Sequence, residues 1–425
     1  MGTRRKILLA VSAGALFLLV LFSLFDYDRT WRLWSIPAMS PYFADLRVIT
    51  HGADSVLRGL DPLISNPADP WGRPLNYPRI WQGLYSLGIN SSHTLWLGLV
   101  IIVSFLLGVV MVLPSASNLT ICLVMGAILS PAVLLGIERA NIDLFIFFLV
   151  ATAIISVRKS AALGGALIVF ATVLKLFPVF AISLLLRMDK RTFFKHASVV
   201  LLILSVWFAA TWTDLRLISH ATPRGTNLSY GMNVGWMRIA EINYSLGSFF
   251  QFVYLSLAMI AIGLAFFFAC IRTPGPHGPL RGETSLSLDA FRVGSSIYIG
   301  TFLLGNNFDY RLLFLIFTIP QLACWLASPI PILRRCSQIA LCVMFVSMWG
   351  LLISRFWLAL ASIFFESISR TRLLPWILHE LSSWTLFMVL AYLFFLVLPK
   401  WVTDLLLHPV RMGRRPDATH DHAQP

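Results

Sequence analysis

The chain is built from long apolar runs separated by short polar turns, with three longer polar stretches at 26–93, 214–247 and 355–382. A helix that crosses a hydrocarbon core of about 30 Å, rising 1.5 Å per residue, needs about 20 apolar residues. On that measure there are twelve candidate spans: 7–25, 94–113, 119–136, 142–157, 160–174, 176–186, 196–213, 248–271, 288–304, 312–327, 338–354 and 383–398. The fifth and sixth are short and meet at Lys175-Leu176-Phe177-Pro178, so they are either two half-spans or one broken unit. The first follows a basic amino terminus in the manner of a secretion signal. Its apolar stretch exceeds the usual signal length and no small-residue cleavage site follows, so it reads as an uncleaved anchor. No repeat of fixed period appears, and no pair of halves with matched broken helices of the kind found in many transporters.

The first long polar stretch has internal order. Residues 26–41 mix charge with Trp31, Trp34, Pro37 and Pro41, a composition suited to headgroup depth, where indole rings settle. Over 42–60 the apolar residues Leu46, Ile49, Ala53, Val56, Leu57 and Leu60 recur at spacings of three and four. That pattern predicts an amphipathic helix stopped by Gly59 and lying on the outer leaflet with its apolar face down. Asp45 falls near its start, where free amides and the helix dipole favour a carboxylate, so spacing alone reads it as a cap or first-turn acid. Residues 66–81, dense in Pro and aromatics and including Tyr77 and Arg79, form a rigid amphipathic loop; it suits a sugar or lipid headgroup, and loop packing also accounts for it.

Composition narrows the class. Of 425 residues 58% are hydrophobic and 12% charged, against about 25% charged in soluble domains, and the mean hydropathy is +0.79. An ordinary soluble enzyme is excluded, since too little polar surface remains to cover one. The net charge of +14 would mark a nucleic-acid surface in a soluble protein, but here it follows topology. With the amino terminus in the cytoplasm, Arg158, Lys159, Arg187, Lys190, Arg191, Lys195, Arg272, Arg281, Arg334, Arg335 and Lys400 fall on the inside as the positive-inside rule requires. The expected organisation is one transmembrane unit, 1–405, in the plasma (inner) membrane with both termini cytoplasmic. A disordered cytoplasmic tail, 406–425, follows. The five cysteines lie in or beside apolar runs and imply no disulfide framework.

Ionisable residues at membrane depth are costly and tend to be paired or functional. Glu138, Arg139, Asn141 and Asp143 lie at the outer end of the third and fourth spans, as a polar turn with a local Glu-Arg pair or as a substrate contact. Lys175, in the apolar break, either snorkels or meets a lipid phosphate. Asn306-Asn307-Phe308-Asp309-Tyr310-Arg311 makes a tight outer turn in which Asp309 and Arg311 pair, or in which amides, carboxylate, phenol and guanidinium recognise a sugar. There is no glycine-rich phosphate loop, no cysteine pair at zinc spacing and no His-Glu-x-x-His or Gly-x-Ser-x-Gly.

An early acid in a large first outer loop, within Ala44-Asp45-Leu46-Arg47 and Gly59-Leu60-Asp61-Pro62 and then Asn76-Tyr77-Pro78, resembles the polytopic glycosyltransferases of the C-type fold. The nearest are the family 87 group of polyprenyl-phosphate-dependent mannosyltransferases and their bacterial relatives. Glu138-Arg139-Ala140-Asn141-Ile142-Asp143-Leu144 is similar to that group's Gly-Gln/Asn-x-Asn segment, with Glu138-Arg139 departing from the more usual Gly-Gln. Leu174-Lys175-Leu176-Phe177-Pro178 resembles its Lys-x-x-Pro break. The likeness covers 45–178, with a looser echo at 306–311.

The resemblance implies an all-α membrane protein of about 11–12 transmembrane helices with an interfacial helix in its first outer loop. It also implies an inverting enzyme that moves a hexose or pentose, mannose-like, from a polyprenyl phosphate to a lipid or polysaccharide acceptor at the extracytoplasmic face. A lipid-phosphate leaving group carries charge that Arg and Lys stabilise, so neither a metal nor another cofactor is expected. The general base expected on this reading is Asp45. The expected substrate-binding set is Arg47, Tyr77, Arg79, Glu138, Arg139, Asn141, Lys175, Asn307, Asp309 and Arg311. Partners are the bilayer, the polyprenyl-phosphate donor and a lipid or glycan acceptor, with no nucleic acid. A transporter or flippase, disfavoured by the large first outer loop, and a non-catalytic partner in an envelope-polymer complex are the alternatives.

Overall fold

In lipid every backbone N–H and C=O must find a partner within the protein, so apolar runs without water become helices. The computed structural model describes residues 14, 24–113, 117–272, 285–364 and 373–412, and there the chain is an all-α polytopic membrane protein. The α-helices used below are α1 (Tyr27–Leu33), α2 (Ala44–Leu57), α3 (Thr94–Met111), α4 (Asn118–Ile128), α5 (Pro131–Arg139), α6 (Asp143–Ser156), α7 (Ala161–Leu174), α8 (Lys190–Ala210), α9 (Trp212–Ala221), α10 (Val234–Ile242), α11 (Tyr244–Phe266), α12 (Leu286–Leu304), α13 (Ile319–Leu326), α14 (Pro331–Met348), α15 (Gly350–Phe364), α16 (Leu373–Leu396) and α17 (Lys400–Met412). Tight 3₁₀ segments run over Phe177–Arg187 and Asp309–Thr318. Sheet among the described residues is one two-stranded ladder, β1 (Ser229–Tyr230) with β2 (Asn307–Phe308), antiparallel, pairing Ser229 with Phe308 and Tyr230 with Asn307.

Twelve spans were expected from composition; six helical stretches among the described residues are long and apolar enough to cross a membrane unaided. They are Ser91–Met111, Lys190–Ala210, Tyr244–Cys270, Asp309–Leu326, Pro331–Met348 and Leu373–Leu396. Much of the remainder is realised as shorter or bent pieces. The expected span 119–136 is the pair α4 and α5, bent by 54°. Pro131 starts the second piece and has no N–H to reach the Ala127 carbonyl one turn back. Ser130 supplies the missing donor through its hydroxyl, at 2.6 Å. The expected span 288–304 is α12, whose Asp289 and Arg292 are buried among its neighbours. Of the expected first span, 7–25, only Gly14 and residues 24–25 are described.

The break at Lys175 makes two short elements. α7 ends at Lys175, which is extended at φ −161°, ψ 123°. Pro178 cannot donate to the Leu174 carbonyl, and that carbonyl is taken instead by Trp81 Nε1 from the stretch 26–93 at 3.0 Å. The stretch 355–382, read as a loop, is helical where it is described: the Leu/Ala-rich run through Phe364 has no breaker, so α15 continues, and α16 begins at Leu373. Likewise α17 runs from Lys400 through Met412, across the start of the stretch read as a disordered tail, with Trp401 donating to the Met188 carbonyl at 3.0 Å and packing on Phe193 at 5.0 Å; residues 413–425 lie outside the described set.

The core is continuous and rich in rings, with Phe147 stacked on Phe317 at 4.1 Å and Phe302 on Phe387 at 4.4 Å. α12 is clasped by the segment Phe177–Arg187, and a Cβ built on its Gly300 would meet the Phe180 ring at 2.3 Å. Gly300→Ala therefore forces that segment outward. We expect a loss of about 1–3 kcal/mol, typical of overpacking, read as a lowered thermal midpoint of the purified protein in detergent. An unchanged midpoint would show that Phe180 moves aside freely.

Candidate functional site

The helix predicted over 42–60 is observed as α2, Ala44–Leu57, stopped by Gly59 at φ +76° as its sequence required. Its surroundings differ from the expectation. Leu46, Ile49 and Ala53 are buried against protein, while Val56, Leu57 and Leu60 are exposed. Hydrogen bonds explain the docking: Thr50 to Thr94 at 2.7 Å, Ser55 to Asn66 at 2.7 Å, and Tyr85 Oη to the Ile49 carbonyl at 3.1 Å. One face of the helix is thus part of the protein core, and lipid was not the only apolar surface available to it.

Asp45 lies in the first turn of α2 but does not cap it. The cap position is Phe43, in the left-handed region at φ +61° with no side-chain bond. The Asp45 carboxylate turns instead toward α5 and α6, where its Oδ2 accepts a hydrogen bond from Asn141 Nδ2 at 2.6 Å; Oδ1 faces Arg73 at 3.8 Å. Asn141 is placed by the way α5 ends. Ala140 takes φ +44°, the Asn141 amide closes on the Gly136 carbonyl at 2.9 Å, and Asn141 Oδ1 then accepts the Asp143 amide at 2.9 Å at the start of α6. The same oxygen accepts Lys175 Nζ at 3.0 Å.

From there the chain of contacts runs on. Lys175 Nζ lies 2.6 Å from one oxygen of Asp143, and Arg311 Nε lies 3.2 Å from the other. Asp143 is fully buried, so its one negative charge holds two cations from two different helical breaks. Lys175 sits over the rings of Tyr77 at 5.1 Å and Tyr310 at 5.7 Å, and Arg311 over Phe177 at 4.4 Å, all attractive cation–π placements. Arg311 also donates to Asn307, whose Nδ2 donates to the Thr301 carbonyl at 2.6 Å. Burial pushes the Tyr77 hydroxyl well above its usual pKa, so it stays protonated at any physiological pH.

Lys175, Arg311, Tyr77 and Tyr310 line one wall of a cavity of about 440 Å³. Its other wall comes from the stretch 214–247: Leu215, Ser219 and Thr222 along α9 and beyond, Arg224, and Asn233, Trp236 and Met237 of the α10 region. Two glycines permit this approach. Gly231 (φ +128°) and Gly305 (φ +106°) pass so closely that a Cβ on the first would lie 2.5 Å from the Gly305 carbonyl oxygen, and the Asn233 amide bonds that same oxygen at 2.8 Å. At the rim, Arg79 joins the loops by donating to Asp61 and to Asp214, each at 2.9 Å. Partial burial would raise the Asp61 pKa, but the Arg79 hydrogen bond and charge, the Leu63 amide and Gln82 together outweigh it and hold the carboxyl below its ordinary value.

The expected site residues are therefore divided. Asp45, Tyr77, Asn141, Lys175, Asn307 and Arg311 come together, and Arg79 stands at the rim. Glu138 pairs with Arg139 at 2.7 Å and takes the Met39 amide at 2.9 Å and Tyr27 Oη at 3.1 Å, while Arg139 donates to the Pro37 carbonyl at 2.8 Å. This pair anchors the strand of chain that leads into α2. Arg47 turns back on the Tyr42 carbonyl at 2.7 Å, and Asp309 faces His379 of α16 at 3.5 Å. Asp143, Arg73 and the α9–α10 residues were not among the chosen site residues. Asp143 was visible as an acid beside Asn141 in an apolar run, whereas Arg73 and Trp236 carry no distinguishing signal in one sequence.

Lys175 and Arg311 both depend on the charge of Asp143. Asp143→Ala leaves two cations against one another in a buried site, and a cost of about 3–5 kcal/mol is expected, with Asp143→Asn between it and the native protein. Thermal denaturation in detergent checks the order of the three; equal midpoints would contradict the bridging role.

Comparison with known proteins adds one finding: residues 84–288 match glycosyltransferase family 87. No curated protein and no solved structure matches the chain. The matched segment holds Asn141, Asp143, Lys175 and the α9–α10 wall of the cavity, while Asp45, Arg73, Tyr77 and Arg311 lie outside it.

Proposed function

Starting from a multi-pass membrane glycosyltransferase of family 87, we propose that it transfers a mannose-like hexose or pentose from a polyprenyl phosphate to a lipid or glycan hydroxyl, with Asp45 as the general base. The observation that carries the reading is the line from Asp45 through Asn141 to Lys175 and Arg311 at the cavity wall. A first-turn acid that leaves its own helix uncapped and faces a cationic cluster is better placed for proton transfer than for helix stability.

The roles divide by chemistry. Lys175 and Arg311 together carry one more positive charge than Asp143 cancels, which suits a phosphomonoester-like group on the departing lipid phosphate. Asp143 and Asn141 fix both cations in place before the donor arrives, so little reorganisation accompanies the growth of charge on the leaving phosphate. Aromatic and polar groups of the second outer stretch, Trp236, Asn233 and Thr222, offer a stacking face and hydrogen bonds for a sugar or for the acceptor. As the acceptor hydroxyl attacks the anomeric carbon, the bond to the phosphate breaks and the hydroxyl proton passes to the Asp45 carboxylate. Attack from the face opposite the phosphate inverts the anomeric centre.

The cavity end of the bundle faces away from the cytoplasm in this reading, because Arg158, Lys159, Arg187, Lys190, Arg334 and Arg335 gather at the other ends of the helices. Ser65 is exposed in the first outer loop. A cysteine placed there should react with an impermeant thiol reagent on intact cells; reaction only after permeabilisation would invert the topology.

Asp45→Asn should lower sugar transfer from radiolabelled polyprenyl-phosphate donors by roughly 10²–10⁴-fold with unchanged expression and donor binding, since the amide keeps the shape and cannot take the proton. Lys175→Ala should instead weaken donor binding. Near-native transfer by the Asn variant would remove Asp45 from the chemistry.

A further inference from the structure

The helices that form the cavity at one end of the bundle carry a second charged cluster at their other end. α6 runs from Asp143 of the cavity cluster to Ser156, and Arg158 follows it; the segment that begins beside Lys175 ends at Arg187; α12, which ends beside the cavity at Leu304, holds Asp289 and Arg292 in its first turns. Three guanidiniums meet one carboxylate there. Asp289 Oδ2 lies 2.6 Å from Arg187 Nη1 and 3.3 Å from Arg158 Nη1, and Oδ1 lies 3.7 Å from Arg292 Nη1.

The cluster carries an excess of two positive charges at short range. Arg292 is 2% exposed; it donates through Nη2 to the Val397 carbonyl at 2.8 Å, and its Nε is buried without an acceptor among the described residues. Arg187 and Arg158 are 17% and 37% exposed along their side chains, so the cluster opens to the outside through those two groups. Like charges gathered on one carboxylate repel unless an anion joins them, and each guanidinium can grip a phosphate through two parallel hydrogen bonds. An exposed basic fringe would satisfy the positive-inside rule by itself; burying Arg292 and Asp289 beneath that fringe does not follow from it.

Its depth names the source of the anion. The cluster lies where α6 and the 3₁₀ segment pass from apolar to polar sequence, the pattern expected at the headgroup layer, and Trp401, seated on Phe193, bonds the Met188 carbonyl next to Arg187. Basic pockets between helices at that level are suited to acidic phospholipid headgroups. We propose that Arg158, Arg187 and Arg292 form a binding site for the phosphate group of an anionic lipid at the bundle end opposite the cavity. This site is independent of the transfer chemistry and holds whatever the sugar proves to be.

The test measures the thermal midpoint of the delipidated full chain in neutral detergent. Added phosphatidylglycerol should raise it by on the order of 3 °C, and phosphatidylcholine should not. Arg158→Gln and Arg187→Gln should each lose most of that rise. Arg158→Lys should keep part of it, and Arg191→Gln, at an exposed basic residue nearby, should keep all of it. Should the Gln variants fail to fold, competition on the native protein decides: inorganic phosphate should reduce the rise given by the lipid. A rise given equally by inorganic phosphate alone would keep the phosphate site and reassign its source to free phosphate. An equal rise in native protein and Gln variants, or none with either phosphate source, would overturn the proposal and leave a purely structural ion cluster.

Discussion

Asp143 is the point on which the cavity end of this protein depends. A carboxylate with no access to water must be paired, and each cation brought to it must in turn be desolvated, so the arrangement survives only if several partners are satisfied together. Lys175 and Arg311 come from two separate interruptions of helical structure, and both terminate on this one group. Asn141 then extends the network by one hydrogen bond to Asp45 on α2. Four parts of the chain distant in sequence are thereby held in register by electrostatics that no apolar contact would specify.

Interruptions of helices place Asn141, Lys175 and Arg311, and at two breaks the freed backbone carbonyl has a side-chain partner. Ser130 serves the Ala127 carbonyl at the bend of α4 and α5, and Trp81 serves the Leu174 carbonyl at the break before Pro178. In a bilayer such repairs are obligatory, because an unsatisfied carbonyl at that depth costs several kcal/mol. The stretch 26–93 is accordingly part of the bundle's own structure: its Trp81 closes a helix end, its Tyr77 supports Lys175, and its Arg79 ties it to α9. Function and folding draw on the same residues there.

The two ends of the bundle treat charge differently. At the cavity end a buried acid holds two cations and shows them to an open cleft; at the other end a buried acid holds three, with a surplus of positive charge on its more exposed side. The shared logic is a desolvated carboxylate that fixes guanidinium or ammonium groups in advance of an anionic partner. Helices α6 and α12 and the segment Phe177–Arg187 run between the two clusters.

What could be read from one sequence was whatever is local and repetitive. Hydropathy determined that the protein is a helical membrane bundle, the spacing of Leu46, Ile49 and Ala53 with Gly59 determined helix α2, and Lys175 before Pro178 determined a break. The order of degenerate motifs pointed to family 87 glycosyltransferases, which the match over 84–288 bears out. Tertiary structure alone decided which polar groups meet. Glu138 and Arg139 looked as suitable as Asn141, yet the left-handed turn at Ala140 sends the first two toward residues 37–39 and the third toward Lys175. Asp309 and Arg311, two residues apart, face His379 and Asp143 respectively. The apolar face of α2 was legible as apolar, but whether protein or lipid covers it depends on which surface reaches it first, and residues 62–94 do so through hydrogen bonds that hydropathy does not encode. Periodicity reports the environment of a residue averaged over a face, whereas pairing of buried charges depends on the direction of single side chains after the chain has bent, and that direction exists only in the folded molecule.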